Sequence, residues 1–507
     1  SAASAIYSIY NFNDFKQFRD YVNTGGSYGM NDTINLYADI DMRGESWTGI
    51  GHARSSFKGT FNGNNHTIYN YSGSGGIWAR VGDVITGGNG IPRRRKGIIK
   101  NLNVVAKNAG QGIVSNAQAL DMENCSISGT INSSSNNVGG LVGSARFLTI
   151  KSCQNLATIS STGDNIGGIA GSLTSNEYYI YGCVNLGNIS GNTCVGGIIG
   201  YIKHSLFSRI ANDVNFGRIS GTGEYIGGIA GRNYHNNTDF YNCYNSTSSG
   251  VKGAGVSGSK VGEDFTDGSF YCKSLSTSTI KGYLSSSSRW NTDYDWFGGN
   301  NFWSNISSPN NTNNGYPYLT GSALTVTVRV NNSSYGNTGS FQIIKGDSIA
   351  ANGSSIRVNS SYNIYTASAK SSTNQYTYSF SNWSRIPSGA QYANFSITAN
   401  FTRAVRQYTV YINVDSSANY GTVSASRVYN VPYGSRITYG KDSRGNGTMT
   451  ITKRDSNEVV TVTATPNASS GQYKYTFDSW SPTTSSVSGN TTIYAKFARE
   501  LNSFDVN

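Results

Sequence analysis

Charge is scarce in this chain: only 13% of its 507 residues are Asp, Glu, Lys or Arg, and Pro occurs just 7 times. Few charges, set among many small and hydroxylated residues, suit flat sheets and tight turns rather than helices. No apolar run approaches the roughly eighteen residues of a membrane-spanning helix. The only histidines are His52, His66, His204 and His235. None stands in a His-Glu-x-x-His phrase, so no pair of imidazoles is set on one helix face to hold zinc. No paired Cys-x-x-Cys or Cys/His cluster offers a structural zinc site. No Gly-x-Ser-x-Gly elbow precedes a helix, and no phosphate loop ends in Gly-Lys-Ser/Thr. The expectation is a chain without catalytic, cofactor-binding or metal-ligating residues.

What the chain does have is repetition. Cys153-Gln-Asn155, Cys183-Val-Asn185, Asp213-Val-Asn215 and Cys243-Tyr-Asn245 follow one another at intervals of 30 residues. A large apolar residue stands three positions before each triplet: Ile150, Ile180, Ile210 and Phe240. Ile159, Ile189 and Ile219 follow the first three Asn residues by four. A second phrase is interleaved with the first: Val138-Gly-Gly-Leu-Val-Gly143, Ile166-Gly-Gly-Ile-Ala-Gly171, Val195-Gly-Gly-Ile-Ile-Gly200 and Ile226-Gly-Gly-Ile-Ala-Gly231. A period of this length marks a solenoid, in which each repeat buries its apolar face only against its neighbours. The spacing predicts a right-handed parallel β-helix over residues 1–322.

Stacking gives the repeated polar residues a structural reading. Cys125, Cys153, Cys183 and Cys243 share one repeat position and should lie on successive coils. In-register strands point their Cβ atoms the same way rather than at each other, so free buried thiols are expected. Asp213 replaces Cys in this series; if it points inward its carboxyl needs partners or must be neutral. Asn155, Asn185, Asn215 and Asn245 should bond along the solenoid axis and satisfy turn backbone. The Gly-Gly pairs are expected to adopt backbone conformations closed to other residues where coils bend. Tyr178, Tyr179, Tyr234, Tyr241 and Tyr244 lie around the repeats, either as exposed rings that grip sugars or a protein, or as covers for sheet edges.

The flanks read as caps. Asn13 or Asp14 can cap a short helix through Asn23, with Phe15, Phe18 and Val22 on one face, laid over the first coil. A strand is expected over 34–40, then strand, turn and strand over 57–71 with Asn62-Gly63 at the corner. Residues 72–97 break the pattern, and rungs resume at Ile98. Trp290, Trp296 and Trp303, before Asn313-Asn-Gly-Tyr-Pro-Tyr-Leu319, are the expected closing cap. At Leu324 the period becomes strict alternation. Two β-sandwich-like modules are predicted, over 323–404 and 405–507, each ending in a matching signature: Tyr378-Ser-Phe-Ser-Asn-Trp383 with Ile397-Thr-Ala-Asn-Phe401, and Tyr475-Thr-Phe-Asp-Ser-Trp480 with Ile493-Tyr-Ala-Lys-Phe497.

These phrases resemble known families. The Val/Ile-Gly-Gly-Ile-x-Gly units with Cys-x-Asn spacers look like GLUG repeats of bacterial surface proteins. The segment from Leu36 to Phe61 resembles the stretch that opens such solenoids, with Asn62-Gly-Asn-Asn-His66 where the family has Asp-Gly-x-Gly-His. The two C-terminal modules are similar to divergent B-repeat and Listeria–Bacteroides repeat modules of cell-surface proteins. The resemblance implies an all-β surface protein, and one such solenoid serves adhesins, protease accessory regions and coats alike.

The formal charge is +12, but Lys and Arg are scattered apart from Arg93-Arg94-Arg95-Lys96. No nucleic-acid motif accompanies that run, which reads as a solvated loop, with attraction to acidic wall polymers or glycans as the alternative. A β-helix glycosidase or lyase needs paired carboxylates or acidic metal ligands beside Arg or Lys. Asp39, Asp41, Glu263, Asp264, Asp267, Asp293 and Asp295 show no spacing that stacks two on neighbouring rungs, and read as turn and cap residues. The chain opens Ser-Ala-Ala-Ser-Ala, as after removal of a leader, so an extracellular or cell-surface setting is expected. The partner is then a surface glycan, a protein, or copies of the chain itself. Alternation over Ile6–Phe12 and Leu501–Val506 leaves open a filament built by strand addition.

Overall fold

The computed structural model describes residues 3–203, 207–234, 238–246, 248, 272–280, 312–315, 318–415 and 419–503. Its first part is a parallel β-helix built from three stacked sheets, of 13, 12 and 4 strands, with every ladder in them parallel. The rungs keep the register that the repeat demands. Ile150 lies beside Ile180 and Ile180 beside Ile210; Asn155 lies beside Asn185, and Val138 beside Ile166. Because identical positions stack, one line of Ile side chains after another runs along the interior, and Ile150, Ile159, Ile166, Ile180, Ile189 and Ile210 belong to a single buried core.

Two corner positions that recur along the solenoid turn the chain in the left-handed region. The first holds Asn101, Asn124, Ser152, Gly182, Asn212 and Asn242, with φ between 48° and 59°. The second holds Asn137, Asn165, Cys194 and Tyr225, with φ between 58° and 62°. Asn and Gly tolerate this conformation best, which explains their frequency at the first corner. The Gly-Gly pairs answer a different need. Gly139 and Gly168 are absent from the left-handed residues; a Cβ on Gly139 would stand 2.1 Å from the carbonyl oxygen of Val142, and one on Gly168 2.1 Å from that of Gly197. Crowding, by the carbonyl of its own turn at Gly139 and by the next coil at Gly168, excludes a side chain there rather than a left-handed dihedral.

The capping helix spans Phe12–Asn23, and its N-cap is Asn11, two or three residues earlier than expected; the Asn11 side chain accepts the N–H of Asp14. Phe12, Phe15, Phe18 and Val22 are buried, and Phe15 stacks on Trp47 at 5.1 Å while Phe18 stacks on Phe61 at 5.6 Å. The helix thus closes the first coil with aromatic rings. The expected strand over 34–40 is two strands, Thr33–Leu36 and Ile40–Asp41, in different sheets. Thr60–Asn62 and Thr67–Tyr71 likewise belong to different sheets, so Asn62-Gly63 marks a solenoid corner, with Asn64 and Asn65 left-handed. The break over 72–97 is partial: Trp78–Val81 is a rung segment, and only the hairpin Asp83–Thr86 with Pro92–Arg95 stands out from the coil. Trp290, Trp296 and Trp303 lie outside the described residues. Leu319 is described: with Ile280 it covers an outward apolar strip of Tyr181, Val184, Ala211, Val214 and Tyr244.

Both C-terminal modules share one four-stranded sheet plan. In the first, the order is Gly339–Ile344, Ala323–Val330, Phe395–Val405, Tyr376–Ser384, with the central pair parallel and the outer pairs antiparallel. In the second, Arg427–Pro432, Gln407–Val414, Thr491–Leu501 and Tyr473–Ser481 repeat that order and polarity. Each sheet faces a second one, of three strands in the first module and four in the second. Each module has its own core, around Val326, Ile356 and Phe401 in one and around Ile412, Met449 and Trp480 in the other.

Candidate functional site

Inside the solenoid the repeated polar residues form ladders. Asn155 donates its amide to the side chain of Asn185 at 2.8 Å, Asn185 to Asn215 at 2.8 Å, Asn215 to Asn245 at 2.9 Å, and Asn245 to Ser274 Oγ at 3.0 Å. Each of the first three also donates to a carbonyl two residues on: Ala157, Gly187 and Gly217. The four Asn residues are fully buried, so the bonds between them are made away from water. The axial bonding expected from the sequence is what the structure shows, and these amides are committed to the fold rather than to a ligand.

The second ladder is of thiols. Cys125, Cys153, Cys183 and Cys243 are free and buried. The Sγ of Cys153 accepts the backbone N–H of Cys125, while each thiol points back to a carbonyl two residues earlier, as Cys153 does to Lys151. Burial pushes the thiols of Cys153 and Cys183 well above the ordinary range, and that of Cys194, at a corner, up to about 11. In the backbone register Cys272 follows Cys243, although its repeat phrase has lost the Asn that made the others legible.

Asp213 points inward. It is fully buried; its Oδ1 accepts the N–H of Cys183 at 2.6 Å, and its Oδ2 has no partner among the described residues. Burial pushes its carboxyl well above the usual carboxylate range, and the neighbouring Cys243 thiol adds to this. Its Oδ1 performs the acceptor job of the thiol that it replaces.

On the outer face the basic run is a clasp rather than a solvated loop. Arg94 sits on the hairpin and reaches Glu177 through two hydrogen bonds of 2.8 and 2.9 Å, its guanidinium 4.0 Å from the ring centre of Phe147. Lys96 pairs with Asp121 at 3.1 Å, and Arg95 with Asp83 at 3.3 Å. A cleft of about 90 Å³ lies under this clasp, lined by Arg94, Lys96, Asp121, Thr149, Glu177 and Tyr179. Its cations already have acidic partners. A larger cleft of about 310 Å³ is lined by Leu186, Phe216, Ser248, Thr277 and Asn313.

Of the tyrosines singled out by sequence, Tyr178 and Tyr244 are buried, Tyr179 and Tyr241 are half-buried, and Tyr234 is exposed. Two arginines stack on the outer rings: Arg209 over Tyr241, and Arg232 over both Tyr225 and Tyr234. Asp39 accepts the Thr67 N–H at 2.9 Å and faces His66 Nδ1 at 3.2 Å. Asp41 accepts the amide of Asn70 and the N–H of Arg43, which hold its carboxyl below the usual range. Asp39 lies between two strands and Asp41 ends the second of them, each spending its carboxyl on nearby backbone or amide groups. Glu263, Asp264, Asp267, Asp293, Asp295, His204 and His235 lie outside the described residues.

The first module leans on the solenoid flank. The Tyr392 hydroxyl hydrogen-bonds Ser128 Oγ at 2.5 Å, and its ring meets Tyr69 edge-on at 6.3 Å. Gly346, at φ +91°, lies so close to Leu156 that a Cβ would stand 2.7 Å from that side chain. Lys345 is buried beside them, and burial lowers the affinity of its amine for a proton. No sequence signal marked these contacts.

The molecule is therefore a parallel β-helix protein with two tandem β modules. No family model matches the chain, and no curated protein matches it. Among solved structures it is similar to a protein of Bacteroides ovatus described as a putative immunoglobulin A1 protease, at 19% identity and a TM-score of 0.43, over 62% of this chain and 93% of that one. A likeness of that size carries no argument about activity.

Proposed function

We propose that this is a non-catalytic, secreted surface protein of the GLUG-repeat kind, working in adhesion or as a scaffold. The solenoid is its rigid presenting face, and modules of divergent B-repeat or Listeria–Bacteroides type serve as spacer or attachment. The observation that carries the reading is the buried amide ladder from Asn155 to Ser274, which locks successive coils into a stiff column. The contact of Tyr392 with Ser128 fastens a module to that column, as load transfer between them requires. Beads coated with the full chain and washed over wall and host surfaces test it: retention above uncoated beads is expected. Sustained release of products from glycans by the purified protein would overturn the non-catalytic reading.

Self-assembly into a filament is the second reading, supported by the exposed Tyr7, Tyr10, Met30 and Tyr37 at the opening end of the solenoid. Strand addition is not the route we favour there. The first strand is only Ser8–Ile9, Ile6 is bonded to the Tyr28 hydroxyl, and the N–H of Tyr10 is taken by Asp14. The opposite terminus beyond Ser503 lies outside the described residues. Electron microscopy of the purified protein separates the readings: regular fibres favour the polymer, dispersed rods the adhesin.

A further inference from the structure

A tyrosine–arginine cradle occupies the same place in both C-terminal modules. In the first, the guanidinium of Arg403 lies 4.1 Å from the ring centre of Tyr376 and 5.3 Å from that of Tyr335. In the second, Arg499 lies 4.2 Å from Tyr473 and 5.1 Å from Tyr420. A third ring completes each group. Tyr378 is 5.7 Å from Tyr335 and 6.4 Å from Tyr376; Tyr475 is 5.4 Å from Tyr420 and 6.5 Å from Tyr473. The strand register places Tyr378 opposite Arg403 and Tyr475 opposite Arg499.

The support beneath is duplicated as well. Gly336 follows Tyr335 and Gly421 follows Tyr420; a Cβ on either would collide with a core ring, Phe401 at 2.2 Å or Phe497 at 2.4 Å. Glycine is what lets the tyrosine turn settle over the sheet. The modules differ in their second sheet, three strands against four, yet these cradles coincide ring for ring.

Packing alone does not explain the chemistry left over. Arg403 and Arg499 are exposed, and neither has an acidic or hydrogen-bonded partner among the described residues, whereas Lys58, Arg94 and Lys96 on the solenoid are paired. A guanidinium held flat on a ring is oriented without being neutralised, and its planar fork suits a carboxylate or sulfate. The phenol hydroxyls around it suit a ligand rich in hydroxyls. The ring faces under the guanidinium are taken, which disfavours stacking of nucleobases. The first module also carries six Lys and Arg against one acid, Asp347, and that acid is buried. Two equivalent sites on one chain suit a polymer that repeats its charge.

We propose that the Arg403 and Arg499 cradles bind an anionic polysaccharide bearing carboxylates or sulfates along its length. The proposal names a ligand class for the adhesive reading and rests on that reading. It is tested with the immobilised full chain and four probes: polygalacturonate, dextran sulfate, neutral dextran and poly(dT). The protein should bind one or both anionic polysaccharides and not dextran, the preferred probe telling carboxylate from sulfate. R403A and R499A should each weaken binding by about tenfold or more, and the double variant should abolish it, with unchanged thermal unfolding. R403K and R499K keep the charge and lose the fork, so they too should weaken binding; they stand in if an alanine variant fails to fold. No binding of either polysaccharide, undiminished binding by the double variants, or poly(dT) bound as tightly would overturn the proposal. Bead adherence is measured in parallel: beads that adhere while neither polysaccharide binds reject the cradles and leave the adhesive reading standing.

Discussion

Replacing Asp213 by Cys, the residue of the neighbouring rungs, should stabilise the protein at neutral pH. Folded, Asp213 holds its proton to higher pH than an exposed aspartate, because its carboxyl is fully buried, with one oxygen bonded to Cys183 N–H and the other without a partner among the described residues. Unfolded, an aspartate ionises near about 3.9. Above that pH the unfolded chain has shed a proton that the folded chain retains, so the free energy of unfolding falls by about 1.4 kcal/mol per pH unit until the raised folded value is reached. The contribution is thus complete below about pH 3.9 and declines as pH rises. A thiol ionises near about 8.5 when unfolded, so D213C carries no such slope between pH 4 and about 8. The advantage of D213C should therefore grow by up to about 1.4 kcal/mol per unit between pH 5 and 7, beside about 1–3 kcal/mol for the orphaned oxygen. Urea unfolding of both full chains at pH 5, 6 and 7 measures this. Equal slopes, or a variant weaker than wild type at pH 7, would refute the reasoning.

Further perturbations probe other parts of the column. Asn185→Ala removes two axial amide bonds and the bond to Gly187, so a loss of about 2–4 kcal/mol is expected in chemical unfolding, with Asn155 and Asn215 left partly unsatisfied. Gly168→Ala would drive its Cβ to within 2.1 Å of the Gly197 carbonyl oxygen; low soluble yield or a strongly lowered Tm is expected, and wild-type behaviour would contradict the packing. Glu177→Gln opens the half-exposed clasp to Arg94 and should cost about 1 kcal/mol or less, a difference that shrinks in high salt. Cys125, Cys153, Cys183 and Cys243 should resist iodoacetamide at pH 8 until denaturant is added, as mass spectrometry of labelled peptides would show.

The column was legible because stacking forces one residue type into one position on coil after coil. Ile150, Ile180 and Ile210 recur at 30 residues for the same reason that they touch. The left-handed corners were not legible, since Asn, Ser, Gly, Cys and Tyr all occupy them and the requirement falls on the backbone. The Gly-Gly pairs were found but read as left-handed corners. The first glycine is instead crowded by the carbonyl three residues on, and the second by the next coil, a contact that leaves no trace in a single segment. Arg94 looked solvated from its neighbours in sequence; its partner, Glu177, is 83 residues away. For Tyr178 and Tyr244 the sequence left open exposed rings or covers for sheet edges; both are buried, and Ile280 and Leu319 cover the strip that holds Tyr244. The cradles of Arg403 and Arg499 were half visible: the matching signatures revealed Tyr378 and Tyr475, while the arginines emerged only from the strand register.

The stacking itself is open to a single distance measurement. Asn35, Asn62, Lys100, Glu123 and Lys151 occupy one position on five successive rungs. Spin labels at Asn35 and Lys151 should therefore report a narrow distribution centred near about 19 Å, four rungs at about 4.8 Å each, widened by the label linkers. A broad distribution beyond about 35 Å would mean that these coils are not piled in register, and the account would fall with them.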